Sequence, residues 1–373
     1  MLLSYGIPLY YRARLIHKPN NMRREREFAL LALAKIAQAE ASVAVGEYPE
    51  PSPGPGEVLI RMVAAGICGT DMQIYKWAPR MRARVAVPRI LGHEMAGHII
   101  EVGEGVSRLK PGDFVSLESH IYCGHCRQCR AGQAHVCQNL GYPGISIDGG
   151  FAEYAVVPEQ ICWVNPPDMD PYLAAMLEPY GISVYASAVG TGVAGQSVLV
   201  NGCGPIGMMN VATARALGAA QVLAVDPNPK RRAMAAQMGA DRTLDPFEED
   251  VAKACLDMTG GYGIDVAIEY SGTPNGFEAC TAALRKGGEF RLVGGPPGEH
   301  PVTLANWIYK AITVHAVHGR RLWGDWVLGQ SLLEAKKVDL SPLVSHVLPL
   351  SDSARGFDLI LAGEALKPIL VPD

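Results

Sequence analysis

The sequence predicts an α/β protein in which a doubly wound parallel sheet is joined to a second, mainly β domain. The chain has 373 residues, more than one compact core usually needs, so two domains are expected. From about residue 57 to residue 157, short runs rich in β-branched residues alternate with Gly, Pro and Asp turns. After residue 197, apolar strands alternate with helical segments, a pattern typical of βαβ units and a parallel sheet.

The individual elements follow from these patterns. In the mainly β part, strands are expected in EVLIRMVAAGI, HIIEVG, DFVSL and FAEYAVV. The stretch Pro171–Val189 has a helical pattern, and the sequence leaves open whether Pro179 interrupts the helix. In the alternating part, strands are expected in QSVLVNG, AQVLAVD, IDVAIEYSG and FRLVGG, and helices in PIGMMNVATARALG, NPKRRAMAAQMG, Glu248–Met258 and NGFEACTAALRKGG. The last fifty residues return to a mixed pattern, with a helix around Trp326–Lys336 and a final strand, PILVP.

Composition excludes several classes of function. The net charge of −4 argues against a protein that binds a phosphate backbone, so no nucleic-acid partner is expected. No uncharged apolar run of about 20 residues is present, so no membrane span is expected. Four of the nine cysteines fall within fifteen residues, and no signal peptide is recognisable. These features favour a reducing compartment, the cytoplasm, and a metal site over a disulfide framework.

The first thirty residues differ in charge from the rest of the chain. They contain six basic and two acidic residues, a balance of +4, whereas the remaining 27 basic and 35 acidic residues give −8. Residues 1–30 are therefore predicted to be an N-terminal extension outside the fold. Three explanations stay open: a start-site extension, an organelle transit peptide, or an extra element that packs on the body. The prediction is that deletion of residues 1–28 leaves activity and melting temperature unchanged.

A glycine-rich motif follows the strand SVLVN directly and precedes a helical pattern. It is Gly202-Cys203-Gly204-Pro205-Ile206-Gly207, or G-x-G-x-x-G. The first glycine permits a tight turn, the second lets the backbone approach a pyrophosphate, and the third lets helix and strand pack closely. A pyrophosphate would lie at the helix N-terminus, where free N–H groups and the helix dipole favour anions. The motif predicts a dinucleotide site, the alternative being a glycine turn without a ligand.

The next strand ends at Asp226, which predicts the choice of cofactor. A carboxylate at this position can accept hydrogen bonds from the adenosine ribose diol, and it would repel a 2′-phosphate. NAD is therefore expected as the cofactor. Arg231, five residues further on, keeps NADP open, because a nearby arginine can accommodate that phosphate.

Four cysteines in one loop have the spacing C-x2-C-x2-C-x7-C: Cys123, Cys126, Cys129 and Cys137. A zinc ion held by four thiolates has no open coordination position, so the predicted site is structural. An iron–sulfur cluster is less consistent with the sequence, because the fourth cysteine is at the wrong spacing and no proline follows it. A nucleic-acid zinc ribbon would need two C-x2-C pairs that are further apart.

A second metal site is indicated by four residues of ligand type: Cys68, His93, Glu94 and Glu178. One thiolate, one imidazole and one or two carboxylates leave room for a substrate oxygen, which is typical of catalytic zinc. Thr70 offers a hydroxyl two residues from Cys68 that is suited to passing a proton. Asp71 could accept a hydrogen bond from the far ring nitrogen of His93 and so orient the imidazole.

These motifs together resemble the zinc-dependent medium-chain dehydrogenases, from about Leu31 to Pro372. The resemblance is carried by GICGTD, GHEMAGHIIEVGEGV, KPGDFV, the four-cysteine loop and GCGPIG, in that order. Within the family, GICGTDMQIYKW, ESHIYCGHCRQCRAGQAHVCQN, VHGRRLWGDW and VDLSPLVSH are similar to segments of bacterial members that oxidise L-threonine.

The resemblance implies a GroES-like catalytic domain over residues 31–180, with the structural zinc lobe at 118–140. It implies a Rossmann NAD-binding domain over 181–320 and a return to the catalytic domain over 321–373. At the active site it implies Cys68, His93 and Glu94 at zinc, Glu178 at zinc or its proton network, Thr70 in a hydroxyl relay, and His120 near the substrate. Matching cofactor positions are Ile206, Asp226, Arg231, Val293, Gly294, Gly295, Val317 and His318. The implied assembly is a homo-oligomer, a tetramer in similar enzymes.

The expected reaction is oxidation of a secondary alcohol to a ketone by hydride transfer to NAD. Two departures from the L-threonine pattern fall near the substrate. Gln73 stands where those enzymes have the relay histidine, and an amide does not titrate as imidazole does. The segment Gly181–Tyr185 replaces the usual Asn-Ala and histidine. The sequence therefore predicts either L-threonine or a polyol, sugar or cyclitol as the alcohol substrate.

Overall fold

The computed structural model describes residues 29–295 and 298–373, which form two compact units. One unit comprises the chain through Glu178 together with Val344–Asp373, and the other comprises Pro179–Leu343. The first is mainly β and the second alternates strands with helices around a parallel sheet. The predicted fold class is therefore confirmed.

The elements are numbered in chain order. The first unit contains β1 (Ala29–Lys35), β2 (Val43–Pro49), β3 (Glu57–Gly66), α1 (Gly69–Tyr75), α2 (Pro79–Arg82), β4 (Arg89–Ile90), β5 (Glu94–Val102), β6 (Phe114–Leu117), α3 (Arg127–Arg130), β7 (Tyr154–Pro158) and β8 (Cys162–Val164). Helix α4 (Pro171–Ala188) crosses the boundary between the units. The second unit continues with β9 (Ser197–Asn201), α5 (Pro205–Ala216), β10 (Gln221–Val225), α6 (Pro229–Gln237), β11 (Arg242–Leu244), α7 (Val251–Met258), β12 (Ile264–Glu269), α8 (Pro274–Ala283), β13 (Leu284–Leu292), α9 (Leu304–Lys310), β14 (Thr313–Ala316) and α10 (Gly324–Glu334). The chain returns to the first unit with β15 (Val344–Pro349), α11 (Ser353–Leu361) and β16 (Lys367–Val371).

The first unit is built on a seven-stranded sheet with the order β15-β16-β3-β5-β6-β8, in which β7 also pairs with β3. A three-stranded sheet, β2-β1-β4, accompanies it. Strands β3 and β5 are antiparallel, and their register sets Gly66 opposite Glu94. The end of β3, which leads into Cys68, and the start of β5, which follows His93, consequently meet at one edge of the sheet.

Close packing at Gly92 helps to position the neighbouring His93. Gly92 has φ +95°, a backbone conformation that favours glycine. A Cβ atom at this position would approach the ring of the buried Phe151 to 2.5 Å, so a side chain would displace the backbone here. The bend that presents His93 to the sheet edge therefore depends on a residue without a side chain.

The second unit is a six-stranded parallel sheet with the order β11-β10-β9-β12-β13-β14, which is the 3-2-1-4-5-6 arrangement of dinucleotide-binding domains. The last residues of five neighbouring strands lie in one row: Val225, Asn201, Glu269, Leu292 and Ala316. The residues that follow these strands therefore emerge together at the carboxyl edge of the sheet, where ligands bind in open α/β sheets.

The structure resolves one open point about the chain path and corrects one boundary. Helix α4 runs unbroken through Pro179, where the sequence left a break open. Proline removes one backbone donor, but the residues on both sides of it are buried, so packing outweighs the local penalty. The return to the first unit begins at Val344, about twenty residues after the predicted position, 321. Helix α10 stays with the second unit, where Gly329 packs against Tyr180 so closely that an added Cβ would lie 2.9 Å from its ring.

The predicted N-terminal extension lies outside the described residues except for its last two, Ala29 and Leu30, which already form the start of β1. The prediction for residues 1–28 remains a prediction. Among the residues that the structure describes, no helix has the length and apolar character needed to cross a membrane.

Candidate active site

The edge where β3 and β5 meet brings Cys68, His93 and Glu94 together. One ligand atom from each residue lies within 4.8 Å of the others. Cys68 is the N-cap of α1, and its backbone N–H donates a hydrogen bond to the Asp71 carboxylate at 2.9 Å. This capping interaction fixes the thiol at the beginning of the helix. The structure therefore gathers three of the four residues predicted to hold the second metal.

The Cys68 thiol and the His93 imidazole lie in strongly perturbing surroundings. Burial and the neighbouring Glu94 carboxylate raise the pKa of the Cys68 thiol. Burial acts to lower the pKa of His93, but the Asp71 carboxylate and the Cys68 sulfur outweigh it and raise that pKa well above its usual range. His93 Nδ1 and Asp71 Oδ1 are 3.7 Å apart, a distance too long for a hydrogen bond. The predicted hydrogen bond between them is therefore not made, and among the described residues neither of these two buried atoms has another hydrogen-bond partner.

Glu94 forms a buried ion pair that the sequence did not predict. The Lys367 ammonium, at the start of β16, lies 2.9 and 2.6 Å from the two carboxylate oxygens of Glu94. Both side chains are almost completely shielded from solvent. Gly66 makes room for this pair, because a Cβ there would overlap the Glu94 carboxylate. The last strand of the protein thereby supplies a positive charge next to the candidate metal cluster.

Glu178 lies beside the cluster but does not join the three grouped ligand atoms. It is buried, and its negative charge raises the pKa of Glu94, to which burial makes the largest contribution, and adds to the upward shift of His93. A carboxylate beside the cluster could contact zinc directly or take part in its proton network, which are the two roles that the family resemblance implies. Thr70 is half-buried in the first turn of α1, two residues after Cys68.

The donor set of this cluster fits a zinc ion. A thiolate, an imidazole and carboxylates are the ligands that zinc binds in catalytic sites. Cys68, Glu94 and Glu178 would together carry three negative charges when ionised, and Lys367 offsets one of them. A divalent cation would offset the other two, whereas without a cation the buried charges would be strongly unfavourable.

The four-cysteine loop has the geometry of a closed metal site. The sulfur atoms of Cys126 and Cys129 are 3.5 Å apart, those of Cys126 and Cys137 are 3.8 Å apart, and those of Cys137 and Cys123 are 3.5 Å apart. A tetrahedron with zinc–sulfur bonds of about 2.3 Å has edges of about 3.8 Å, whereas a disulfide would need about 2.05 Å. A hydrogen bond from the Cys129 backbone N–H lowers the pKa of Cys126 to about 6, which favours the thiolate. All four predicted residues thus come together in a site that fits zinc.

The glycine motif of the second unit adopts the conformation predicted for a dinucleotide site. Gly202 has φ +100°, and a Cβ there would approach the Ser271 backbone nitrogen to 2.6 Å. A Cβ at Gly207 would overlap the Gly202 carbonyl oxygen, so this position also requires glycine. Gly204 is the N-cap of α5, and no atom of the described residues lies within 4 Å of the position its Cβ would occupy, which leaves room at the helix N-terminus. This arrangement fits a pyrophosphate group.

The other predicted cofactor residues reach the same sheet edge. Asp226 follows β10 directly, Val293–Gly295 follow β13, and Val317–His318 follow β14. Because the ends of these strands lie in one row with Asn201, the residues that follow them emerge at the same edge of the sheet as the glycine turn. Ile206 belongs to the first turn of α5, and Arg231 to α6, which follows β10. The predicted cofactor residues therefore follow the carboxyl ends of strands of one sheet.

Asp226 is nearly buried and already bonded to the backbone around the motif. Its carboxylate accepts hydrogen bonds from the Cys203 N–H at 2.9 Å and from the Asn228 N–H at 2.8 Å. A carboxylate offers about four acceptor positions, so two remain for other donors. Arg231 approaches Asp226 Oδ2 to 3.7 Å, and its buried Nε has no hydrogen-bond partner within the part of the chain that the structure describes. The acidic and basic groups predicted to influence cofactor choice are therefore adjacent.

A buried carboxylate that the sequence analysis did not single out, Glu269, connects the loops of this edge. Its side chain accepts hydrogen bonds from Asn201 Nδ2 at 2.5 Å, Ser271 Oγ at 2.5 Å and the Gly272 N–H at 2.8 Å. Its backbone oxygen accepts from the N–H groups of Val293 and Gly294. An acidic residue at the end of the apolar strand IDVAIE was the available signal, as was a lysine at the start of the apolar strand KPILV for Lys367.

Two family models match the chain. The alcohol dehydrogenase GroES-like domain matches residues 54–167, and the zinc-binding dehydrogenase model matches residues 205–333. The chain belongs to the zinc-dependent medium-chain alcohol dehydrogenase family. Among curated relatives, it is 43% identical over 317 residues to L-threonine 3-dehydrogenase of Pyrococcus abyssi, an alignment that covers 84% of this chain and 91% of that one. It is 41% identical over 319 residues to L-threonine 3-dehydrogenase of Bacillus subtilis, covering 85% and 91%.

Solved structures agree with this assignment. The 2R,3R-butanediol dehydrogenase of Bacillus subtilis is 27% identical with a TM-score of 0.84, covering 92% of this chain and all of that one. A Sinorhizobium meliloti 1021 protein solved with bound NADP is 27% identical with a TM-score of 0.85, covering 92% and 99%. An alcohol dehydrogenase from Escherichia coli CFT073 complexed with NADH is 25% identical with a TM-score of 0.85, covering 92% and 99%.

The two cysteine sites should respond differently to substitution. Cys68→Ala should abolish turnover and leave the melting temperature nearly unchanged, because the first site is expected to serve chemistry. Cys126→Ser should lower the melting temperature, because a structural metal contributes directly to folding. Zinc content per chain, measured for both variants alongside thermal unfolding, checks the prediction. A Cys126→Ser protein that has lost the zinc of the four-cysteine loop but keeps its melting temperature would contradict the structural assignment.

Removal of the Lys367 charge should destabilise the protein strongly. Lys367→Met keeps much of the side-chain volume but leaves Glu94 and Glu178 without their counter-charge, so the free energy of unfolding should fall by about 3–5 kcal/mol. The loss should be larger after zinc is removed by a chelator. Lys253→Met is the control, because Lys253 pairs with Asp257 on the surface, and that change should cost less than about 1 kcal/mol. Equal losses in the two variants in denaturant titrations would refute the role given to Lys367.

Proposed function

We propose that the protein is a zinc- and NAD-dependent dehydrogenase that oxidises the secondary hydroxyl of L-threonine to give 2-amino-3-ketobutyrate. The observation that carries the proposal is the Cys68–His93–Glu94 cluster, a mixed donor set with an open metal position, in a chain that also carries a complete dinucleotide motif. The substrate is supported by relatives of 41–43% identity that are named L-threonine 3-dehydrogenase.

The residues of the cluster would divide the work of alcohol oxidation. Cys68, His93 and one carboxylate, Glu94 or Glu178, would hold zinc, which as a Lewis acid lowers the pKa of a bound hydroxyl. Asp71 orients Cys68 through its N–H and faces the His93 ring, so it keeps both ligands in place. The Thr70 hydroxyl can accept the proton that leaves the substrate and pass it to solvent.

The second unit would bind the hydride acceptor. The open N-terminus of α5 at Gly204 receives the pyrophosphate, and the Asp226 carboxylate accepts hydrogen bonds from the adenosine ribose. Similar solved structures contain NADP in one case and NADH in another, so family membership alone does not decide between the two cofactors. We favour NAD, because a 2′-phosphate would lie against the negative charge of Asp226.

Asp226→Ser should shift cofactor preference towards NADP. Loss of the carboxylate removes repulsion of the 2′-phosphate and leaves Arg231 free to pair with it, so the ratio of kcat/KM for NADP to that for NAD should rise by about tenfold or more. Asp226→Asn separates charge from hydrogen bonding, because the amide can still accept from the backbone. Asp226→Asn should therefore produce most of the same shift in cofactor preference towards NADP. Equal rates with NAD and NADP in the unmodified enzyme would contradict the proposal.

A polyol, sugar or cyclitol is the second candidate for the substrate. Gln73 occupies the position of a relay histidine in enzymes that oxidise L-threonine, and its side-chain oxygen is buried without a hydrogen-bond partner among the described residues. A butanediol dehydrogenase is among the similar structures. An amide with an unused acceptor can bind an additional hydroxyl group, which is the recognition that a polyol needs.

Gln73→His should distinguish the two substrates. If L-threonine is oxidised, an imidazole at this position should raise turnover on it or move the pH optimum, because imidazole titrates near neutrality and an amide does not. NADH formation should be followed over pH with L-threonine, sugar alcohols and inositols. Absence of L-threonine activity in both forms, together with polyol activity in the unmodified enzyme, would assign the second candidate.

We also infer self-association, by way of the exposed edge of the second unit. Strand β14 ends the six-stranded sheet, and three large apolar side chains of the preceding helix α9 are well exposed: Leu304, Ile308 and Tyr309. An unpaired strand edge beside an apolar patch is suited to pairing with a second copy.

Ile308→Glu should therefore reduce the mass measured by light scattering, whereas Phe247→Glu, at an exposed site near the opposite edge, should not. A cytoplasmic location is in keeping with the nine cysteines, none of which forms a disulfide.

A further inference from the structure

The segment of chain that joins Cys68 to His93 concentrates positive charge. Between Asp71 and Glu94 it contains five lysine and arginine residues and no acidic residue, whereas the whole chain has a net charge of −4. The ligand atoms of Cys68 and His93 lie within 4.8 Å of each other, so the segment leaves the metal cluster and returns to it. The positive charge therefore belongs to a loop whose two ends are both at the candidate active site.

Arg84, an exposed residue of this loop, is held by an aromatic ring and not by an acidic partner. Its guanidinium carbon lies 5.1 Å from the centre of the Tyr142 ring. The same ring contacts the imidazole of His120, with ring centroids 5.3 Å apart. Arg89 pairs with Asp148, but no carboxylate of the residues that the structure describes pairs with Arg84. A guanidinium stacked on a ring keeps its N–H groups available for an anion.

The turn that contains Tyr142 packs against the backbone next to His93. The Tyr142 carbonyl accepts hydrogen bonds from the N–H groups three and four residues further on. A Cβ added to Gly144 in this turn would lie 2.9 Å from the Gly92 backbone nitrogen. Tyr142 precedes Gly144 by two residues, a span of at most about 7 Å. The guanidinium that stacks on Tyr142 is therefore placed near the metal cluster by contacts within the first unit.

A carboxylate that entered this site would need an additional cation. With a divalent metal bound, the Lys367 ammonium leaves the thiolate and the two carboxylates of the site just neutralised, and the nearby Asp71 carboxylate adds a negative charge. An anionic substrate group would increase that excess, and its removal from water is unfavourable unless it is paired. The guanidinium of Arg84 has the planar fork of N–H donors that matches a carboxylate.

We propose that Arg84 binds the carboxylate of the substrate and so selects an anionic alcohol over an uncharged polyol. The inference rests on the proposed function, because L-threonine carries its carboxylate on the carbon next to the one that bears the hydroxyl. The chemistry that Arg84 recognises is an anion, and the phosphate of a phosphorylated polyol would share it. Arg84 is thus a residue of substrate specificity that stands outside the metal ligands.

L-Threonine and L-threoninamide test this contact, because they share the hydroxyl and the amino group but the amide has no carboxylate. Arg84→Gln should raise KM for L-threonine by about 10–100-fold, as expected for the loss of a charge-assisted hydrogen bond. The inhibition constant of L-threoninamide should change by less than about twofold, because no charged contact is lost. Arg80→Gln is the matched control, since it removes the same charge from an exposed residue of the same loop, and it should leave both constants within about twofold.

Two further measurements separate a direct contact from a structural effect. Arg84→Lys keeps the charge but loses the planar fork, so its KM for L-threonine should lie between those of the unmodified enzyme and Arg84→Gln. Raising the ionic strength from about 0.05 to about 0.5 M should increase KM for L-threonine in the unmodified enzyme and much less in Arg84→Gln, because salt screens exposed ion pairs. Equal weakening of L-threonine and L-threoninamide in Arg84→Gln, or the same loss in Arg80→Gln, would overturn the proposal. If Arg84→Gln does not fold, a KM for L-threonine that is independent of salt in the unmodified enzyme would overturn it.

The specificity role and the proposed function fail in different ways. If L-threonine is oxidised but Arg84→Gln keeps the full preference over L-threoninamide, only the role of Arg84 is refuted. If the unmodified enzyme oxidises a sugar alcohol phosphate and not L-threonine, the proposed function is wrong, and Arg84→Gln must then abolish the preference for the phosphate over the free sugar alcohol. If a sugar alcohol is oxidised as well as its phosphate and L-threonine is not, both proposals are refuted. Zinc content and NADH binding should stay unchanged in all variants.

Discussion

The buried ion pair between Lys367 and Glu94 is the interaction on which the candidate metal centre depends. Without the ammonium, the thiolate and the two carboxylates of this site would exceed the charge of a divalent cation by one, even before the nearby Asp71 carboxylate is counted. Gly66 is required for the same reason, because any side chain there would occupy the space of the Glu94 carboxylate. The pair also depends on the return of the chain to the first unit. Lys367 is the first residue of β16, which lies next to β3, and this position brings its ammonium to Glu94. The charge balance of the candidate metal site therefore depends on the position of β16 in the sheet.

The second unit also contains a buried carboxylate, Glu269, which is stabilised in a different way. Glu269 has no lysine against it among the described contacts, and it is held by hydrogen bonds from Asn201, Ser271 and the Gly272 backbone. Burial raises the pKa of Glu269, which these donors partly offset. These hydrogen bonds join the ends of neighbouring strands, so Glu269 stabilises the loop conformations at the cofactor edge. Glu94, in contrast, contributes to the charge balance of the candidate metal site.

The two cysteine-containing sites differ in the ligands that they offer to a metal, and this difference predicts different roles. The four sulfurs of the loop from Cys123 to Cys137 leave no position for a substrate, and their ligands come from a single local segment. The cluster of Cys68, His93 and Glu94 draws on two strand ends and keeps a mixed set of donors. A closed set stabilises a loop, and an open set can bind an alcohol oxygen. Under the proposed function, the protein would therefore use one zinc site for folding and the other for the reaction.

The sequence by itself determined the features that depend on short spacing. The glycine motif and the four-cysteine loop were predictable because each places its functional atoms within one turn or loop, and the alternation of strands and helices predicted the parallel sheet. Only the tertiary structure decided the rest. Lys367 is 273 residues from Glu94, and no local pattern could connect them. The continuity of α4 through Pro179, the return of the chain at Val344 and the stacking of Arg84 on Tyr142 likewise arise from packing and register. Such contacts are set by the sum of long-range burial, which local propensity does not encode.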